Sequence, residues 1–443
     1  MTIPQTTGHP RLSLAIIGGG IAGLTLTVAL LKHAPHISIT LYESASAFGE
    51  IGAGVGFEPV MVRIMERIDP RIAAAFEKCS KGNTATEPPR WFTVRVGDQR
   101  KVIGDLEDGV VLEKGPDKRK VRLGEELYVM PARKGPRGGV HRAHFLDQLV
   151  KLVPDGIAQF RKRLQNVTEA PDGSGDAVLH FADGSSAQHS AVLGCDGIKS
   201  RTRSLVLGDS EVTSPKFSGK YAYRGLIPMA KAVEIMGNDQ PRTSQMYCGY
   251  HGHVLTFPIA NGTIMNVVGF SSRQTWDDKS WVVQAAREDM LQDYKDWTPS
   301  VRSIMENLQS PDIWALFNHL PAPTYYSSKP LICLVGDAAH ATTPHQGAGA
   351  GMCIEDVYIL SHLLSGCQSQ SKLPAAFQAY DAVRRPRSQK LVKTSREAGM
   401  LWEFEGEGIE DDLEAFEDNA VKRMDWIWDH DITKDLELAR SMM

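Results

Sequence analysis

An α/β fold with a second, strand-rich sheet and a helical tail is predicted by three observations. The chain opens on a strand, a glycine turn and a helix; two later buried strands each end on an aspartate; and strands of alternating pattern fill the stretches between them. Leu12 to Ile17 reads as a buried strand, Gly18 to Gly20 as a tight turn, and Ile21 to His33 as a helix. The uncharged run from Leu12 to Leu31, bounded by Arg11 and Lys32, is long enough to span a bilayer, and Gly19 and Gly23 mimic a helix-dimerisation face. Three successive glycines in its middle would each weaken a spanning helix by about 1 kcal/mol. The polar start, Met1 to Gly8, lacks the basic cluster of a secretory signal. No membrane role is expected.

Gly18-Gly19-Gly20-Ile21-Ala22-Gly23 satisfies the G-x-G-x-x-G pattern between a strand and a helix. A second strand, Ile37 to Tyr42, ends at Glu43, where the ribose-binding acid of a dinucleotide unit is expected. Gly18 permits the turn, Gly20 admits a pyrophosphate to the backbone, and Gly23 lets helix and strand approach; the helix N-terminus attracts phosphate charge. The next cluster, Glu50 to Gly56, precedes an apolar-periodic helix over Pro59 to Ile68. It suits close packing on a flat ring or a ribityl chain, a plain turn being the alternative.

Strand Ala191 to Gly194 runs into Cys195-Asp196-Gly197, and strand Leu331 to Val335 into Gly336-Asp337. Both place an aspartate at the C-terminal end of a strand, where open α/β sheets bind ligands. The loop Ala341 to Gly351 then feeds a helix from Met352, gathering N–H donors and a positive dipole end. That arrangement suits the N1–C2=O edge of a flavin. Alternation and β-branching predict strands over Trp91 to Val96, Lys220 to Ile227, His253 to Phe257 and Thr263 to Phe270. Pro171 to Asp176 and Asp183-Gly184 read as hairpin turns. Residues 104–126 read as an exposed loop, and the acidic tail with Trp402, Trp426 and Trp428 as helices packed on the body.

Composition excludes other classes. Among 443 residues, 42% are hydrophobic and 23% charged, ordinary for a globular chain, and 49 basic against 53 acidic residues give −4, no case for nucleic acid. Six scattered cysteines without a Cys-x-x-Cys pair indicate a reducing compartment, and no targeting signal points away from the cytoplasm. His340 with His345, or His141 with His144, lack a third ligand, so no metal is expected. No Gly-x-Ser-x-Gly elbow supports a hydrolase.

Taken together, Gly18 to Gly23 with Glu43, Cys195-Asp196-Gly197 and Gly336-Asp337 resemble the single-component FAD-dependent aromatic hydroxylases, over roughly residues 12–400. Pro344-His345-Gln346-Gly347 through Gly351 is similar to the salicylate hydroxylase group within them. The resemblance implies a Rossmann-like FAD-binding domain of the p-hydroxybenzoate hydroxylase type, a β-sheet substrate domain and a helical C-terminal segment. The expected domains are 1–85, 120–215 and 325–400 for FAD, 86–119 and 216–324 for substrate, and 401–443 for the tail. It assigns Gly18, Gly20, Gly23 and Glu43 to the ADP half, Asp337 to the ribityl hydroxyls, and Arg142, opening a helix, to FAD. It links Asp196 to FAD and NAD(P)H pyrophosphates and brings Gly56, Gly349 and Ala350 to the isoalloxazine ring. Phe57-Glu58-Pro59-Val60 stands where the family carries a Gly-Pro-Asn type, and Val60 cannot make an asparagine's hydrogen bonds.

The implied reaction uses NADH or NADPH to reduce FAD and O₂ to form a flavin C4a-hydroperoxide, which hydroxylates a phenol. A free phenol near pKa about 10 needs a cation or a base to ionise at neutral pH. Arg224, following Tyr221 and Tyr223 in an otherwise apolar strand, is the candidate cation, a surface arginine on an edge strand being the alternative. His345 is the candidate base. Tyr128, Tyr223, Tyr247, Tyr250, His253 and Phe257 are candidate pocket residues, although Tyr247, Tyr250, His251 and His253 also suit ordinary strand decoration. Dearomatising relatives place a tyrosine where Phe257 stands, and phenylalanine cannot bond a substrate carbonyl. The expected activity is decarboxylative hydroxylation of a salicylate-like phenol to a catechol. Two alternatives remain: hydroxylating dearomatisation of a fungal polyketide phenol or resorcinol aldehyde, and a non-catalytic flavin-binding redox sensor. The expected partner is a small aromatic substrate, the expected state a monomer or homodimer.

Overall fold

The computed structural model describes residues 12–49, 54–80, 89–98, 110–114, 119–122, 124–410 and 412–443. The polar start with Arg11, Glu50 to Ala53 of the second glycine cluster, and much of the expected 104–126 loop lie outside the described residues. A six-stranded sheet runs β20 (Tyr326–Ser328), β21 (Leu331–Leu334), β13 (Ala191–Gly194), β1 (Ser13–Ile17), β2 (Ser38–Tyr42) and β9 (Ala158–Gln159). All neighbours pair in parallel except β20. Helix α1 (Ile21–His33) buries almost every residue from Ile21 to Leu30, packing between this sheet and α10 (Gly349–Leu364). An apolar run buried all round in this way is a core element. Among the described residues no helix is long and apolar enough to cross a membrane.

The second sheet has eight strands: β18 (Val282–Gln284), β19 (Gln309–Asn318), β14 (Lys216–Pro228), β17 (Ile264–Ser272), β16 (Gly252–Ile259), β15 (Gln245–Gly249), β4 (Arg90–Val96) and β7 (Glu126–Pro131). One of its faces is packed by α6 (Met229–Met236), α7 (Arg287–Asp293) and α8 (Pro299–Glu306) into a separate apolar core around Trp297 and Met305. The other face meets the dinucleotide half. Two expectations change here. Residues 126–131 belong by hydrogen bonding to this sheet, not to the segment 120–215 expected for the first domain. Within the expected loop, β5 (Val110–Lys114) and β6 (Arg119–Arg122) pair antiparallel. Both segments alternate too weakly for a half-buried strand to be read from pattern.

A two-stranded ribbon, β3 (Gly54–Phe57) with β8 (Gly138–His141), bridges the two halves, followed by α2 (Pro59–Ile68) with α3 (Pro70–Ser80), and by α4 (Arg142–Val150). A three-stranded antiparallel sheet of β10 (Leu164–Glu169), β11 (Ala177–Phe181) and β12 (Ser186–His189) leads back to β13, and α5 (Arg201–Leu207) follows it. The chain closes with α9 (Asp337–His340), α10, the long α11 (Leu373–Trp402), α12 (Leu413–Lys422), α13 (Asp425–Trp428) and α14 (Ile432–Ser441). The tail is anchored by Trp402 and Trp428, both buried.

Buried charge holds the site loops in place. Asp356 on α10 accepts from Arg384 Nε of α11 at 2.8 Å, from His340 Nε2 at 2.6 Å and from the Gly336 N–H at 3.1 Å. Arg203 of α5, fully buried, donates to the carbonyls of Ala338, Ala339, Val212 and Leu320. Between them they pin the Gly336–Asp337 turn from both sides. Removing one partner would strand a charge at a cost of about 3–5 kcal/mol.

Candidate functional site

A cavity of about 1280 Å³ lies between the C-terminal ends of β1, β13 and β21 and the free face of the eight-stranded sheet. It exceeds the roughly 300–1,000 Å³ of a single small-ligand pocket. At one end the glycine turn divides labour among its members. A Cβ on Gly18 (φ +101°) would lie 2.5 Å from the Cys195 carbonyl oxygen, and one on Gly23 1.9 Å from the Gly18 carbonyl oxygen. Gly20 has nothing within 4 Å of that position. Gly18 and Gly23 are therefore needed for packing, with Gly23 off the cavity wall, whereas Gly20 keeps a path to the backbone open. Glu43 accepts the Gly19 N–H at 2.8 Å and the Ala45 N–H at 2.7 Å, bridging the turn and the end of β2.

The two strand-end aspartates differ. Asp196 lines the cavity, but its carboxylate is committed to the start of α5, accepting from Ser200 and Thr202 hydroxyls and from the Arg201 and Thr202 N–H groups at 2.6–2.9 Å. Four donors saturate both oxygens, so the carboxylate holds the loop and leaves the segment's backbone to face the cavity. Asp337 is exposed to the cavity in the middle of a buried run, Val335 to Ala339. Beside it α10 begins at Gly349 and Ala350 with no side-chain cap, so its first N–H groups remain for an anionic partner at the cavity wall. An open glycine approach, a ribose-positioned acid, an exposed strand-end carboxylate and an uncapped helix end fit FAD.

The other end is walled by the eight-stranded sheet. Strand alternation sends Ala222 and Arg224 of β14, Val268 and Phe270 of β17, and His253, Leu255 and Phe257 of β16 to the cavity. Phe257 packs under the ribbon, its ring 2.6 Å from where a Gly54 Cβ would stand and 2.9 Å from a Gly139 Cβ; Gly56, by contrast, is open to the cavity. Arg224 stacks its guanidinium 4.8 Å above the Trp314 ring, and its Nε has no partner. Burial, and then the charge of Arg142 at the start of α4, lower its pKa to about 10. Two cations thus converge on one cavity. His345 lies in the 3₁₀ turn Pro344–Gln346, 5.0 Å from Phe270 and 5.4 Å from His253 between ring centres. Its Nδ1 is buried without a partner, and burial, then His253, hold its pKa near 3, so the ring is neutral. Gly399 of α11 makes room for it: a Cβ there would sit 2.6 Å from His345 Cδ2.

Four expected pocket residues lie elsewhere. Tyr223 is buried in the opposite core and donates to Asp293 at 2.8 Å, because alternation turns it away from the face that carries Arg224. Tyr247 faces that same core, donating to Gln240 at 3.1 Å. Tyr128 packs 6.1 Å from Phe416 of the tail, and Tyr250 packs 5.2 Å from Phe404. Arg142, Asp337, Gly349, Ala350, Arg224, His345, His253 and Phe257 all line the cavity.

Glu58, at the departure from the family pattern, was not singled out by sequence reasoning. It lines the cavity at the start of α2, and burial pushes its carboxyl up to about 7 against the opposing pull of Arg137 and Arg133. Val60 is buried in the core. Between the ordinary glutamate range and pH about 7 the native state keeps a proton that the unfolded chain has lost. Stability therefore falls as pH rises through that window and levels off above it. Glu58→Gln is expected to remove this slope. In urea titrations at pH 5 and pH 8, the unmodified chain should lose about 2–3 kcal/mol that the variant keeps; equal slopes would show that Glu58 ionises freely.

A family model described as an FAD binding domain matches residues 155–395. The FAD-dependent monooxygenase orf3 of Aspergillus niger is 39% identical, covering 95% of this chain and 94% of its own. The 6-methylsalicylate 1-monooxygenase atA of Aspergillus terreus is 38% identical, covering 96% and 90%. A solved structure of a salicylate hydroxylase substrate complex superposes with a TM-score of 0.82 at 33% identity, over 97% of this chain and 98% of that one.

Proposed function

This chain belongs to the family of FAD-dependent monooxygenases that includes salicylate hydroxylase, and from that premise we propose that its substrate is a phenol with an ortho carboxylate. One observation carries the choice: Arg224 is a half-buried guanidinium on the cavity wall with a buried, unpartnered Nε, repelled by Arg142. An anion placed there offsets the charge of Arg224 and its repulsion by Arg142. Two relatives bear names that specify salicylate and 6-methylsalicylate. An aldehyde substrate needs only neutral donors and would leave Arg224 without an anion; Tyr42 is the tyrosine on the described lining, and its hydroxyl is bonded to His189 at 2.8 Å.

In this proposal the turn of Gly18 and Gly20, packed from behind by Gly23, holds the ADP half of FAD with Glu43, Asp337 holds its ribityl hydroxyls, and Arg142 its phosphates. Gly56, Gly349 and Ala350 meet the ring with backbone. FAD, reduced by NADH or NADPH and reacting with O₂, supplies the oxygen atom. Arg224 orients the carboxylate and favours the phenolate. His345, held neutral by burial with Nδ1 unpartnered, orients the phenol at the ring edge. Leu255, Phe257, Val268 and Phe270 exclude water. Attack at the carbon bearing the carboxylate releases CO₂ and leaves a catechol. The small aromatic substrate is the sole partner proposed, for a monomer or homodimer in the cytoplasm. The test is NAD(P)H oxidation by FAD-loaded protein with salicylate and with a dihydroxybenzaldehyde, products being identified by mass. Salicylate-stimulated turnover to catechol and CO₂ is expected. An aldehyde product heavier by one oxygen, with salicylate inert, would replace decarboxylation by dearomatisation, and flavin binding without substrate-stimulated turnover would favour a sensor.

A further inference from the structure

A line of paired titratable side chains runs from the ring-end wall of the cavity to the protein surface. His253 lines the cavity and spends Nδ1 on the Glu403 carboxylate at 3.1 Å. Glu403, fully buried just after α11, pairs with Lys220 of β14. Lys220 Nζ lies 2.8 Å from Glu405 and 2.7 Å from the Ser272 hydroxyl. Glu405 in turn lies 2.5 Å from Nδ1 of His251, whose side chain is 67% exposed. Three segments distant in sequence meet here, and the His251 N–H bonds the Glu403 carbonyl at 3.2 Å. His251 and Phe404 both hold left-handed backbone, φ 64° and 52°, which costs non-glycine residues energy. Burying such charges is no route to stability, since apolar replacements of similar volume serve as well.

We propose that this line conducts the substrate's phenolic proton from the closed cavity to solvent. The inference rests on the phenol substrate proposed above. Because Nδ1–H of His253 is donated to Glu403, Nε2 is left as the ring's acceptor. The phenol gives its proton to Nε2, and the Nδ1 proton moves to Glu403. Lys220 gives a proton to Glu405, the neutral amine so formed takes the proton from Glu403, and Glu405 passes its proton through His251 to water. One proton leaves, one phenolate remains, and no oxidant or reductant is consumed. With cofactor and substrate filling the cavity and water excluded, the mouth offers the proton no such exit.

The test is stopped-flow proton release, read by a pH-indicator dye, when salicylate is mixed anaerobically with FAD-loaded protein without NAD(P)H. Rates are normalised to the fraction bound, read from the flavin absorbance. Glu405→Gln and His251→Ala act at the exposed end of the line, away from the core. Release is expected to slow at least about tenfold in both, with added imidazole restoring the rate in His251→Ala. Wild-type rates in both variants, or a slow His251→Ala that imidazole does not rescue, would overturn the relay. Salicylate that binds without proton release would overturn it too. Salicylate that leaves the flavin absorbance unchanged would instead sink the substrate reading, and the relay with it.

Discussion

Replacing Arg224 by methionine is expected to lower kcat/KM for an ortho-carboxylated phenol by about 10²–10³-fold while stabilising the fold by about 1–3 kcal/mol. The opposite signs come from one cause. Arg224 sits half-buried over Trp314, with a buried, unpartnered Nε and Arg142 as a repelling neighbour, so the folded chain without substrate gains from losing the charge. A bound carboxylate reverses that balance, and the variant lacks the guanidinium that would meet it. Lysine is expected to restore little, since a point charge cannot reproduce the planar fork or the stack on Trp314. Thermal unfolding beside steady-state kinetics checks both halves. A variant that is both inactive and less stable would make Arg224 a packing residue and remove the ground for a carboxylate substrate.

The glycine turn yields the second large effect, as a contrast within six residues. Gly23→Ala drives a methyl group to 1.9 Å from the Gly18 carbonyl oxygen, backbone against backbone, so neither side can yield cheaply. A Tm fall of at least about 5 °C is expected, together with loss of FAD binding. Gly20→Ala meets no atom within 4 Å, and the native φ of −77° is one alanine adopts freely. Its apo form should match wild type within about 0.5 kcal/mol, while FAD affinity falls at least about tenfold, because the methyl group stands where the pyrophosphate approaches. Differential scanning fluorimetry with FAD titration separates the two. An FAD affinity unchanged in Gly20→Ala would place the pyrophosphate elsewhere.

The dinucleotide half was legible because its signals are local. A turn that needs φ +101°, a helix start and an acid at the end of the second strand all lie within one βαβ unit, where chain geometry leaves few alternatives. The loop before α10 was legible for the same reason. Asp196 was placed at the right position, but its carboxylate was consumed by donors four to six residues away, a local capping pattern that a motif match passes over. The pocket tyrosines failed differently. Alternation along β14 shows that Tyr223 and Arg224 face opposite ways, yet both segments around them are apolar, so pattern alone does not say which face meets the cavity.

The class of fold, the cofactor-binding unit and the family can be read along the chain, since their signals lie in motifs of residues near one another in it. Which face of the eight-stranded sheet becomes the wall was decided only when α6, α7 and α8 covered the other one. The tail's part was decided in the same way. Gly399 makes room for His345, and Glu403 reaches His253 across 150 residues of intervening chain. Such pairings follow from packing two half-covered sheets and a helical tail against one another, a consequence of burying apolar area that leaves no periodic mark in the sequence.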